Sequence, residues 1–142
     1  MKQKNSKLKE MEYIYIDGDN IGLKIETSFL ENDELSLKHI NSEVKRSVEQ
    51  ITNFLIENKQ IIVFSGADGI ICKGESLNLS LTLDFIRTNN KNITYSIGAG
   101  NVMKDCYVAL RYAKSINKNI AVKYNNGQFK IIDGEKTKKF GY

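Results

Sequence analysis

Apolar residues in this chain cluster in short runs in some stretches and recur every third or fourth position in others. The first run, Tyr13 to Ile16, holds only aromatic and β-branched residues and predicts a strand. The stretch from Asn20 to Leu30 has no clean period and reads as a helical turn plus a loop. Asn32-Asp33 marks the start of a long helix, on which Leu37, Ile40, Val44, Val48, Ile51 and Leu55 form one stripe. Two further runs, Ile61 to Phe64 and Ile70 to Cys72, flank Ser65-Gly66-Ala67-Asp68-Gly69, the pattern of a tight β-hairpin. Ser76 is the expected cap of a helix reaching about Arg87, with Leu79, Leu83 and Ile86 on one side. "NITYSIGAG" reads as a strand that ends in glycines. Asn101 is the expected cap of a helix running through Ser115, with Val102, Cys106, Ala109, Leu110 and Ala113 facing inward. A last hairpin turns at Asn126-Gly127, a favoured type I′ pair.

This order, β-α-β-β-α-β followed by a helix and a hairpin, predicts an α+β fold of the ferredoxin-like kind. Its sheet is expected to be mainly antiparallel, with helices covering one face. Strand one then lies at the centre, beside strand three or strand two. The end of strand one meets the tip of the β2–β3 hairpin, so Asp17 and Asp68 become neighbours across 51 residues of chain.

Composition narrows the picture. A chain of 142 residues with 41% hydrophobic residues and no proline suits one folded domain, expected over 11–142 after a basic, flexible segment at 1–10. No apolar run approaches the roughly 20 residues of a membrane span, and the first ten residues lack a signal peptide's apolar centre, so the expectation is a cytoplasmic protein with no membrane partner. Cys72 and Cys106 fit no metal spacing and read as free thiols, while His39 stands alone. The net charge of +4 suits a polyanionic partner such as a nucleotide.

The chemistry concentrates in "YIYIDGDNIG". A strand ending on two acids needs a reason, because close carboxylates repel. A divalent cation supplies one: Mg²⁺ prefers hard oxygens and takes one or two carboxylates together with substrate phosphates. Asp-Gly-Asp-Asn is also ordinary turn chemistry, and both readings stand on spacing alone. Asn20, Ile21 and Gly22 can turn backbone amides toward phosphate oxygens. Lys114 and Lys118 end a helix, where cations offset the helix dipole or grip phosphates.

Four segments taken together, "IDGDNIG", "FSGADGI", "SIGAG" and "ALRYAKSINKN", resemble the nucleotidyl-cyclase and polymerase palm superfamily of GGDEF diguanylate cyclases and the CRISPR type III large subunit. The wording is most similar to the stand-alone minimal CRISPR polymerase family, mCpol. The resemblance implies that Asp17 and Asp68 are catalytic metal ligands, with the Gly18 carbonyl as a further ligand and Asp19 as either a ligand or a group supporting one. It implies Mg²⁺ or Mn²⁺ as cofactor and a nucleoside triphosphate, ATP by family, as substrate. Asn20, Ile21, Gly22, Gly66, Ala67, Lys114 and Lys118 are implied as contacts to the nucleotide and its phosphates. One departure stands out: the fourth hairpin position, acidic in GGDEF and GGDD, is Gly69. The implied activity joins nucleoside triphosphates into a cyclic dinucleotide or short cyclic oligonucleotide, in a homodimer, in bacterial antiviral signalling, with no stable nucleic-acid partner. Two other readings remain open here: a nucleotide-binding palm without turnover, and a metal-dependent ribonuclease of the NYN/PIN type. The sequence leaves base preference, linkage and ring size undetermined.

Overall fold

The strand predicted at Tyr13 to Ile16 extends over Met11–Gly18 (β1), and along it every second residue is buried. The computed structural model describes residues 11–134; the basic segment at 1–10 and residues 135–142 lie outside the described residues. After β1 come α1 (Ile21–Leu30), α2 (Glu34–Glu57), β2 (Ile61–Gly66), β3 (Gly69–Glu75), α3 (Leu79–Asn89), β4 (Tyr95–Gly100), α4 (Met103–Ile116), β5 (Ala121–Asn125) and β6 (Gln128–Ile132). The strands form one sheet in the order β2-β3-β1-β4-β5-β6. All neighbours are antiparallel except β4 and β5. This is the expected α+β, ferredoxin-like arrangement, and β1 is flanked by β3 and β4.

Helices cover both faces of the sheet, not one. Ala121 packs in the core beneath α2 and α3, while Val122, the next residue of β5, packs against Ala109 and Ala113 of α4. Successive strand residues point to opposite faces, so α4 lies across the sheet from the other two. The larger core gathers Ile14, Ile16, Ile51, Leu55, Ile70, Leu83, Ile86 and Ile97, all fully or almost fully buried. Phe54 of α2 stacks on Phe85 of α3 with ring centroids 4.3 Å apart. On the other face Gly98 and Gly100 admit α4 closely. A Cβ on Gly98 would fall 2.4 Å from the Leu110 nitrogen and 2.5 Å from the Cys106 carbonyl oxygen.

Local details correct three expectations. The stretch after Asn20 is a ten-residue helix, α1, whose Leu23, Phe29 and Leu30 are exposed; that exposure is why its apolar residues show no amphipathic period. Asn78, not Ser76, caps α3, its Oδ1 accepting from the Leu81 N–H at 3.0 Å. Asn101 does not cap α4; its Nδ2 donates to the Met11 carbonyl at 3.2 Å, tying the α4 approach to β1. Asp33 caps α2 as the pattern implied, and Asn126 and Gly127 take the positive φ values, 53° and 76°, of a type I′ turn. No helix among the described residues is long and apolar enough to cross a membrane.

Candidate active site

The β1–β3 register sets Asp17 opposite Gly69, the residue after Asp68. The Gly18 N–H donates to the Asp68 carbonyl at 2.9 Å, and a Cβ on Gly18 would sit 3.4 Å from the Asp68 Cβ. The end of the central strand and the hairpin tip are therefore one place. Asp17 is about a quarter exposed. Burial pushes its carboxyl above the usual range, Lys114 opposes the rise, and the negative charges of Asp68 and Asp19 add to it. A cation at this point would relieve all three of the raising effects.

Lys114 reaches across from α4. Its ammonium donates to Asp19 Oδ1 at 2.9 Å and to the Gly18 carbonyl at 2.9 Å, and lies 3.1 Å from Asp17 Oδ2. The close α4–β4 packing brings the lysine within reach of β1. Asp19 is only 2% exposed. Beyond Lys114 it accepts from Thr94 Oγ1 and Ser96 Oγ, both at 2.7 Å, and from the Asn119 N–H at 3.0 Å. Both oxygens are thus engaged by protein donors. Of the two roles expected of Asp19, metal ligand or support to one, these contacts suit the second: it anchors β4, α4 and the loop after α4 to the end of β1.

The phosphate candidates divide. Asn20 caps α1 in the left-handed conformation with φ 61°, and Ile21 and Gly22 form the first helical turn. The first amides of a helix have no partner within it, so the phosphate nest read from the sequence takes the form of a helix N-terminus. Gly22 has open space around its Cβ position. Lys118, with φ 59°, donates to Asn20 Oδ1 at 2.6 Å and stays exposed at its tip. Ala67 holds φ 50° at the hairpin tip, where the resemblance has glycine; a non-glycine residue there costs about 1 kcal/mol.

Beside Asp68 opens a cavity of about 620 Å³ between α1, α2 and the hairpin tip. Ile21, Ile25, Leu37, Ile40 and Val44 make it apolar, and Asn41 and Lys45 add polar groups. Gly22 and Ala67 line it too; Gly66 borders a separate hollow toward Thr52.

The model of the minimal CRISPR polymerase (mCpol) domain matches residues 13–124. The chain belongs to the mCpol family. Among solved structures, it resembles the active GGEEF domain of a diguanylate cyclase from Vibrio cholerae, with a TM-score of 0.62 at 14% identity over 86% of this chain and 87% of that one. It also resembles a diguanylate cyclase/phosphodiesterase from Caldicellulosiruptor saccharolyticus, with a TM-score of 0.55 at 16% identity over 91% and 85%. The adenylyl cyclase CyaB from P. aeruginosa gives a TM-score of 0.53 at 8% identity over 81% and 76%. No curated protein sequence matches. Membership of the mCpol family, on this shared palm fold, supports a function of the nucleotidyl cyclase or polymerase type.

Within this mCpol palm, several site residues escape sequence reading. Thr94 and Ser96 become partners of Asp19 because β4 pairs with the end of β1, and Asn119 because the loop after α4 leads into β5 beside β4. Asn41 and Lys45 carry a faint signal: they follow Ile40 and Val44 by one position, on the flank of the α2 stripe that faces the cavity. Two carboxylates and the Gly18 carbonyl are hard oxygen donors that fit Mg²⁺ or Mn²⁺. Among the described residues there is no cluster of three or more His, Cys, Asp or Glu able to hold a metal.

Proposed function

We propose that this chain is a nucleotidyltransferase that joins nucleoside triphosphates, ATP foremost, into a cyclic dinucleotide or short cyclic oligonucleotide and releases pyrophosphate. The observation that carries the reading is the meeting of Asp17 and Asp68 at the end of β1, on the rim of an apolar cavity. The base occupies that cavity, whose size falls within the roughly 300–1,000 Å³ of small-ligand sites. Asn41 presents a carboxamide, which both accepts and donates; this suits the amino and ring nitrogens of adenine, whereas a carboxylate would suit the paired N–H donors of guanine. The triphosphate runs over the outward amides of the first turn of α1 toward Lys118.

Asp17, Asp68 and the Gly18 carbonyl would hold Mg²⁺ or Mn²⁺, which neutralises charge developing on the phosphoryl oxygens and the leaving group. A ribose hydroxyl oxygen of one nucleotide bonds to the α-phosphorus of the other. The bond from that phosphorus to the β-bridging oxygen breaks, pyrophosphate departs, and the hydroxyl proton passes to solvent. Asp17 and Asp68 fix the reacting groups, and no protein nucleophile takes part. With one such Asp68-lined cavity in each chain, two copies must face each other to close a ring, so the working unit is a homodimer. A place in bacterial antiviral signalling accords with the family.

The test incubates the purified chain with each triphosphate and Mg²⁺ or Mn²⁺ and resolves products by mass. Cyclic adenine nucleotides and pyrophosphate are expected, lost in Asp17→Asn, with preference moving toward GTP by about tenfold in Asn41→Asp. ATP binding with no pyrophosphate from any triphosphate would support the second reading, a nucleotide-binding palm without turnover, which Gly69 favours. The NYN/PIN reading needs acids on successive parallel strands, and β1, β3 and β4 are antiparallel.

A further inference from the structure

Lys114 has more oxygens around it than an ammonium has protons. Its Nζ lies 2.9 Å from the Gly18 carbonyl, 2.9 Å from Asp19 Oδ1, 3.1 Å from Asp17 Oδ2 and 3.3 Å from the Asp17 carbonyl. An ammonium has three donors. Two carboxylates and two carbonyls around one point are the surroundings of a bound cation, and here the cation is a side chain that is 17% exposed.

We propose that Lys114 is a built-in cation that stays in this place during the reaction, and that each chain takes a single divalent ion, shared by Asp17 and Asp68. The inference rests on the cyclase reading above and departs from the expectation that both lysines grip phosphates. Charge supports it first. Asp17, Asp19 and Asp68 carry three formal negative charges and Lys114 one positive charge. The remaining two negative charges match one divalent ion, and a second ion would leave the site positive before any nucleotide arrived.

The ligand supply points the same way. The position that is acidic in the GGDEF pattern is Gly69, and a Cβ there would press to 3.1 Å from Asp17 Oδ1. A second ion would have to draw on Asp19, which is buried and already bound by Thr94, Ser96 and the Asn119 N–H. Those partners also hold Asp19 in line with Lys114, so withdrawing the ammonium would leave a buried carboxylate short of a countercharge. Among the described residues Lys118 has no such cage. Its contact is a single side-chain oxygen, Asn20 Oδ1, at an exposed tip, and it is the lysine left to meet phosphates.

Lys114 is therefore a positioning residue: it orients Asp17 and fixes the number of ions. The test counts Mn²⁺ bound per chain by electron paramagnetic resonance, with Mn²⁺ alone and with an α,β-methylene analogue of ATP, corrected for Mn²⁺ on free analogue. The native chain is expected to hold one equivalent. Lys114→Arg keeps one. Lys114→Met, which retains the stem and loses the charge, takes up a second, doubling the count. Two equivalents on the native chain, or one at unchanged affinity on Lys114→Met, would overturn the proposal. The native count decides by itself if Lys114→Met does not fold. A native chain that binds no Mn²⁺ would remove the cyclase reading, and this inference with it.

Discussion

On one face of the sheet, Ile14, Ile16, Ile70 and Ile97 meet the long aliphatic side chains of α2 and α3. On the other, Gly98 and Gly100 of β4 meet the backbone of α4 around Cys106 and Leu110. The first face is filled by side-chain volume, and removing a side chain there leaves a hole. The second is held by the absence of side chains, and adding one there leaves no room. That contrast assigns different work to the faces. The aliphatic face supplies most of the apolar burial that stabilises the fold. The glycine face brings α4 close enough for Lys114 to touch the end of β1.

The contrast is broken most severely at Gly98. The three atoms nearest a Cβ there are backbone atoms of α4, within 2.4 to 2.7 Å, and none of them can swing aside. Gly98→Val should cost more than about 4 kcal/mol, read by denaturant unfolding, and should alter Mn²⁺ binding in whatever folds, because Lys114 is lifted from the end of β1. On the opposite face, Leu83→Ala should cost about 3 kcal/mol through the cavity it opens. Its folded fraction should bind Mn²⁺ as tightly as the native chain, because Leu83 belongs to the aliphatic core and to the helix that supplies none of the site residues. Equal damage to metal binding by both substitutions would end the division of labour.

How much of this was legible beforehand depends on the reach of the interaction. The α2 stripe and the two hairpins are local patterns, and they predict their elements well. The side of the sheet on which α4 docks is not local. It follows from Gly98 and Gly100 facing α4 while Ile97 and Ala99 face the other way, which the string "SIGAG" contains but does not announce. The same holds in the site. Asp17 and Asp68 are visible because each ends or links a strand. The engagement of Asp19 is invisible, because its partners Thr94, Ser96 and Asn119 are ordinary residues given a role by β4 pairing with β1 and by β5 starting beside β4. The α1 helix was obscured by its exposed leucines and phenylalanine, which blur the periodicity that burial normally creates.

Smaller effects sharpen the same contrast. Asp17 carries a carboxyl raised by burial, so the native chain holds its proton more tightly than the unfolded chain. The stability linked to it is complete below the ordinary carboxylate range and is lost as pH rises through the raised value. Thermal melting of the metal-free protein across that range should show this slope, and Asp17→Asn should flatten it. The two cysteines report on one face each: Cys72 lies in the aliphatic core, and Cys106 donates to the Gly98 carbonyl at 3.4 Å. Burial pushes both thiols up to about 12, so neither should react with a thiol reagent in the native state at neutral pH. A milder substitution, Gly98→Ala, should expose Cys106 before Cys72, followed by timed labelling and mass spectrometry.

The central claim is that one divalent ion is held jointly by two acids from distant parts of the chain. The direct measurement is Mn²⁺ affinity of the native chain, Asp17→Asn and Asp68→Asn, each first shown to be folded by circular dichroism. Both substitutions should weaken binding by at least about tenfold, since each removes one of two charged ligands. Native affinity retained in either variant would contradict it.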